Sequence, residues 1–195
     1  LEESAWRQAA ATVHLRRFDG RAEPRQSTEA FLCWDDRALY VAFRCADRDI
    51  HTTYTRRDQP LYLQEAVELF LDPDGNRKDY MEIEASPAGV LFDASFSGRR
   101  QGMDLGFDPP IRVGTHVDGT LNQRGDRDRA WTVELAIAYA GMVGQARLPP
   151  RAGDCWRLNL FRLDKSGGAQ EASSLGPTRG DFHDLDAFVT ACFTD

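Results

Sequence analysis

The chain has 195 residues, of which 42% are hydrophobic and 28% charged, with a formal net charge of −7. That length suits one domain with a sizeable core, and no apolar run approaches the length needed to cross a bilayer. The acidic balance, with basic residues scattered rather than striped, argues against nucleic acid as the main partner.

Taken in chain order, the first segment, "EESAWRQAA", is rich in helix formers. Strand-like runs then follow one another: 12–16, 29–34, 39–45, 66–71, 80–85, 90–96, 111–117, 131–137, 155–162 and 187–193. "FLCWDDRALYVAF" reads as a hairpin turning across Asp35-Asp36-Arg37-Ala38, and "YMEIEASPAGVLFDASF" as a second, turning at Ser86-Pro87-Ala88-Gly89. "AYAGMVG" is a candidate for one or two helical turns ending at Gly144. Two stretches read as long exposed loops: "FSGRRQGMDLGFDPP", and "DKSGGAQEASSLGPTRGDFHD" near the end. Loops of this length in a compact domain often carry function. Many short antiparallel strands with regular turns predict an all-β, jelly-roll-like sandwich with short peripheral helices, in a single domain over 1–195.

The first residue is Leu1 rather than Met, which reads as a mature or trimmed form. The cysteines are Cys33, Cys45, Cys155 and Cys192, and none forms a CxxC pair. An even count permits disulfides without demanding them. Each cysteine sits in an apolar strand-like stretch, where a free buried thiol is the commoner state.

"PLYLQEAVELFLDPDG" poses the central question. Val67, Leu69 and Leu71 alternate with Ala66, Glu68 and Phe70, so a carboxylate sits mid-strand beside an aromatic ring. The same parity turns Met81, Ile83 and Ala85 inward and leaves Glu82, Glu84 and Ser86 on the other face. It leaves Glu134 outward on "WTVELAI", and Arg157 and Asn159 outward on "CWRLNLFR". If these strands share a sheet, one face carries Glu68, Glu82, Glu84, Glu134, Arg157 and Asn159. Carboxylates accept from vicinal hydroxyls, while Arg and Asn donate to sugar oxygens. Aromatic rings at the rim, with Tyr62, Tyr54 and Phe182 as candidates, would cover the apolar face of a sugar ring. The competing reading is a solvated outer sheet face.

Several motifs together resemble family 9 carbohydrate-binding modules and their stand-alone relatives, which are β-sandwiches. They are "LEESAW" at the entry, "STEAFLCWDDRALYVAFRCADRDI", "RRDQPLYLQEAVELFLDPDG", "DGTLNQRGDRDRAWTVELAI", "PPRAGDCWRLNLFRLD" and "FHDLDAF", in this order over nearly the whole chain. The resemblance implies a non-catalytic domain that holds a sugar end between aromatic rings. It puts Tyr62 at the position of the first Trp of that clamp and Glu68 at its acidic partner. Glu84 and Ser86 fall where other members can carry Arg and Asn. The position of the second Trp falls nearest Leu175, so the double-Trp clamp is not reproduced, and Phe182 or Tyr54 would have to supply the second ring. His183 falls in the motif as a loop anchor. The resemblance also implies structural calcium and an extracellular or periplasmic location. Binding by one ring and a few hydrogen bonds is expected on the order of micromolar to millimolar.

For calcium, "DPDGN" spaces Asp72, Asp74 and Asn76 as oxygen-ligand loops do, although a solvated turn has the same sequence. Two rivals remain. A glycoside hydrolase would need two facing carboxylates, for which Glu68 and Glu134 are the pair on offer. A haem-binding sandwich would use Met81, His116 or His183, without any CxxCH attachment motif.

Overall fold

The computed structural model describes Trp6, residues 11–166 and residues 170–194. The expected helix in "EESAWRQAA" lies, apart from Trp6, outside the described residues.

Among the described residues, twelve strands form two antiparallel sheets packed face to face. They are β1 (Ala11–His14), β2 (Arg16–Arg17), β3 (Thr28–Trp34), β4 (Ala38–Ala46), β5 (Ala66–Asp72), β6 (Tyr80–Ala85), β7 (Leu91–Phe96), β8 (Ile111–Asp118), β9 (Ala130–Ala138), β10 (Cys155–Asp164), β11 (Glu171–Ser174) and β12 (Val189–Cys192). The first sheet runs β1-β3-β4-β9-β8. The second runs β2-β11-β10-β5-β6-β7, with β12 also paired to β10. The expected hairpins are both present. Asp35 Oδ1 accepts from the amides of Arg37 and Ala38 in the β3–β4 turn. Ser86 Oγ accepts from the amide of Val90 in the β6–β7 turn. Gly89 sits there at φ 75°, where a side chain would strain the backbone.

The inner faces follow the parity argument. Val67, Leu69, Leu71, Met81, Ile83 and Ala85 meet Val41, Phe43, Trp131, Val133, Leu135 and Ile137 in one buried core. Each fully buried large apolar side chain contributes about 1.5–3 kcal/mol, so this layer dominates the stability. A second, smaller core lies on the outer face of the second sheet, where Phe70, Tyr80, Phe92, Phe96, Phe161, Leu185 and Phe188 pack together. Every residue of β5 and β6 is buried as a result. The outer face of this sheet is therefore not a solvated polar surface.

Four expectations need correction. "AYAGMVG" forms turns, and single 3-10 turns occur at Leu61–Leu63 and Leu185–Ala187. The supposed loop near the end contains β11, a strand of only four residues that pairs with β10. Cys155 and Cys192 are not free buried thiols. They sit opposite each other on β10 and β12, exposed, and form a disulfide, leaving Cys33 and Cys45 free. Direct opposition of two strand residues brings their β-carbons close enough to bridge. Finally, β9 belongs to the first sheet, so Glu134 faces out on the opposite side of the sandwich from Glu68.

Candidate functional site

A cavity of about 480 Å³ opens on the outer face of the second sheet. Its floor comes from three adjacent strands, β5, β6 and β7, whose register sets Glu68 beside Glu84, Phe70 beside Glu82 and Glu84 beside Phe92. Tyr62, on the 3-10 turn before β5, stands at the rim, 44% exposed, with its ring edge-on to Phe92 at 5.9 Å. Phe182 forms another wall and stacks flat on Phe161 at 4.1 Å.

The walls come from the two long loops singled out in the sequence. Arg100 and Met103 belong to the β7–β8 loop, and Gly180, Asp181, Phe182 and His183 to the loop after β11. Asp181 ties the loops together, with Arg99 at 3.0 Å and Arg100 at 2.8 Å. Burial alone would raise Asp181, but the hydrogen bonds from Arg100 and Arg99 outweigh it and hold the carboxyl well below its usual range. Tyr80 adds a second tie, accepting from the amide of Arg100 and meeting Nδ1 of His183. Burial first, then the charge of Arg100, push His183 down to about 4, so its ring is neutral at pH 7.

Three carboxyls sit at the base. One oxygen from each of Glu68, Glu82 and Glu84 lies within 4.8 Å of the others. Among the described residues no Lys or Arg forms an ion pair with any of them, and the nearest basic group, Nε2 of neutral His183, is 3.8 Å from Glu82. Burial, then the charge of Glu82, raises Glu68 well above the usual carboxylate range. Burial, then the charges of Glu68 and Glu82, does the same to Glu84. Burial pushes Glu82 up to about 7, with Glu84 and Arg100 holding it back. Ionising all three without a counter-charge would cost several kcal/mol per ion, so at neutral pH the cluster keeps protons. Oε1 of Glu68 has no hydrogen-bond partner, and the residue is 1% exposed and lines the cavity.

The residues expected at the site divide into two groups. Tyr62, Glu68, Glu82 and Phe182 line the cavity, and Glu84 lies against the same carboxyl cluster. The others are placed elsewhere or are already occupied. Glu134 is on the other sheet. The guanidinium of Arg157 donates to the carbonyls of Leu185, Asp186 and Phe188, anchoring the closing segment. Asn159 is fully buried, with its amide bonded both ways to the backbone of Gly176. Ser86 is spent on its turn. Tyr54 packs at the margin of the second core. Leu175 packs against the main core rather than this cavity.

The proposed calcium loop is also occupied. Asp72 accepts from the amides of Gly75 and Arg77. Asp74 accepts from the amide of Gln145, and from the amide and side chain of Asn76. Asn76 in turn accepts from the amide of Lys78. These oxygens accept bonds within the turn and from the loop between β9 and β10.

Parity reasoning missed Phe92 and Phe96, although the alternation of "LFDASF" carried their signal. Nothing local marked Arg100, Met103 or Asp181, because loops bring them in.

An open, aromatic-walled cavity on one face of a two-sheet sandwich defines the class: a domain built to hold a small polar ligand. The chain belongs to the carbohydrate family 9 binding domain-like family, whose model matches residues 1–178. Three solved structures share the fold. A protein from Bacteroides uniformis described as a candidate carbohydrate-binding protein aligns with TM-score 0.78 and 14% identity, over 94% of this chain and 86% of that one. A family 9 carbohydrate-binding module from Caldicellulosiruptor kristjanssonii in complex with cellotriose aligns with TM-score 0.69 and 17% identity, over 98% and 86%. A family 9 module from the same organism in complex with glucose gives TM-score 0.65 and 16% identity, over 98% and 87%. Among curated proteins, none matches the chain in sequence.

Proposed function

We propose that this domain is a non-catalytic carbohydrate-binding module that takes a sugar into the cavity between Tyr62 and Phe182. The observation that carries this reading is the pairing of aromatic walls with carboxyls on one cavity floor. Rings cover the apolar side of a pyranose, and carboxyls bond its hydroxyls whether protonated or not. The carbohydrate family model and neighbours bound to cellotriose and glucose support it. Binding assays of glucose and cello-oligosaccharides by titration calorimetry, backed by a glycan array, test it. Tyr62→Ala, at a half-exposed rim position, should weaken binding about tenfold and leave the melting temperature unchanged. Loss of the fold, or binding unaffected by this change, would refute the assignment.

A hydrolase is disfavoured because Glu68 and Glu134 lie on separate sheets. Glu68, Glu82 and Glu84 share one floor and cannot straddle a glycosidic bond. Haem is disfavoured because Met81 is in the main core, His116 is exposed on β8 and His183 is engaged with Tyr80. The disulfide between Cys155 and Cys192 fits the extracellular or periplasmic location that the resemblance suggests.

Besides the Asp72, Asp74 and Asn76 loop, Asp47, Glu65 and Asp164 form a second candidate site for structural calcium. One carboxylate oxygen from each member of this second set lies within 4.8 Å of the others. Arg162 balances one charge through a 2.7 Å bond to Asp47. Glu65 is 1% exposed, and its carboxyl shares a proton with Asp47. Burial, then Asp47, pushes its carboxyl up to about 10, and a divalent cation would replace that proton. A surface hollow lined by Gln26, Arg48, Arg124, Asp164 and Ser166 reaches one member of the cluster, Asp164. Adding calcium to chelator-treated protein should raise the melting temperature, and should not do so in Glu65→Gln.

A further inference from the structure

The cavity floor gathers more acid than a neutral sugar needs, and a bound cation would displace the protons that these three carboxyls hold at neutral pH. Glu68, Glu82 and Glu84 have no ion-pairing Lys or Arg among the described residues, and Asp181 already absorbs Arg99 and Arg100 at the rim. Oε1 of Glu68 is buried, lines the cavity and has no hydrogen-bond partner. Hydroxyl groups would supply these acceptors with one donor each and no charge. A primary ammonium supplies three donors and the missing positive charge at one atom. The rings of Tyr62, Phe92, Phe96 and Phe182 around the same space add faces that attract a cation.

We propose that the cavity selects an amino sugar with a free primary amine, the ammonium seated between Glu68 and Glu82 and the pyranose against Tyr62. The proposal rests on the carbohydrate-binding reading and names the sugar class within it. The third acid, Glu84, lies close enough to share charge with both, so the ammonium meets a spread carboxyl cluster rather than a single ion pair. N-acetylation would remove both the charge and two of the donors, turning the same sugar into a poor fit.

Titration calorimetry with glucose, glucosamine and N-acetylglucosamine, in buffer containing a chelator, tests the idea. Glucosamine should bind at least about tenfold more tightly than glucose, as one charge-assisted contact implies, and N-acetylglucosamine should lose that advantage. In Glu68→Gln, the glucosamine-to-glucose affinity ratio should fall close to one. That isosteric change removes a buried carboxyl, and the comparison of the three sugars on unaltered protein does not depend on its folding. Equal affinity for glucose and glucosamine would overturn the proposal while leaving the carbohydrate-binding reading intact. So would a preference unchanged in Glu68→Gln. If none of these sugars nor cellotriose binds, the carbohydrate-binding reading itself falls, and this proposal with it.

Discussion

The hydroxyl of Tyr80 and Nδ1 of His183 lie 2.6 Å apart inside the second core, joining a strand of the cavity floor to the loop that walls it. The same hydroxyl accepts from the amide of Arg100, on the opposite loop. With His183 neutral, the consistent arrangement has Tyr80 donating to Nδ1, which places the ring proton on Nε2, towards Glu82. One phenol thus holds both loops over the carboxyl cluster.

Tyr80→Phe keeps the ring stack on Phe96 but strands a part-buried amide and a buried ring nitrogen. The expected cost is about 1–3 kcal/mol in urea unfolding, with sugar affinity falling several-fold as both loops loosen. Unchanged affinity would mean that the loops hold their positions without this tie.

Asn159→Ala should separate architecture from recognition. The side chain clamps Gly176 through two backbone bonds and does not line the cavity. Stability should drop by about 2–3 kcal/mol, while the folded fraction binds sugar as before. A selective loss of binding would return Asn159 to the site.

Stability should fall as pH rises above about 5. Glu82 at about 7, Glu65 at about 10, Asp93 at about 6, and Glu68 and Glu84 all hold protons more tightly folded than unfolded. Their contribution is complete below the unfolded carboxyl range near 4 and is lost as pH climbs through the folded values. Asp47 and Asp181 are shifted down, so what they contribute disappears only in acid. In buffer containing a chelator, urea midpoints at pH 5.5, 7 and 8.5 should decline in that order, and Glu65→Gln should flatten the trend. A rising series would refute the protonated-cluster account.

Reduction of the Cys155–Cys192 bridge opens a closure spanning 37 residues. Chain entropy puts its contribution at about 3–4 kcal/mol. Cys155→Ser with Cys192→Ser should lower the melting temperature by several degrees, with the fold retained, because β12 also pairs with β10 through Arg157–Thr190 and Leu158–Val189. Sugar binding on the far side of Phe188 should change little.

Alternation along "VELFLD" and "YMEIEA" revealed which side chains enter the main core, because a strand's period of two is a local property. The hairpins were equally legible, since Asp35 and Gly89 act within their own turns. What alternation could not reveal was the neighbour across each sheet. Glu134 has the same local pattern as Glu68, yet β9 pairs with β4 and β8, so the two acids lie on opposite sides of the molecule. Nor could it show that Arg157 and Asn159 are consumed by backbone partners 17–31 residues further along the chain.

By itself, then, the sequence determined the sandwich, its inward residues and the acidic character of one strand face, because these follow from the spacing of neighbours along the chain. Tertiary structure decided that this face is a covered, aromatic-walled cavity rather than a wet surface. It did so because two long loops, tied by Asp181 and by Tyr80 with His183, fold over it and take water away from Glu68, Glu82 and Glu84.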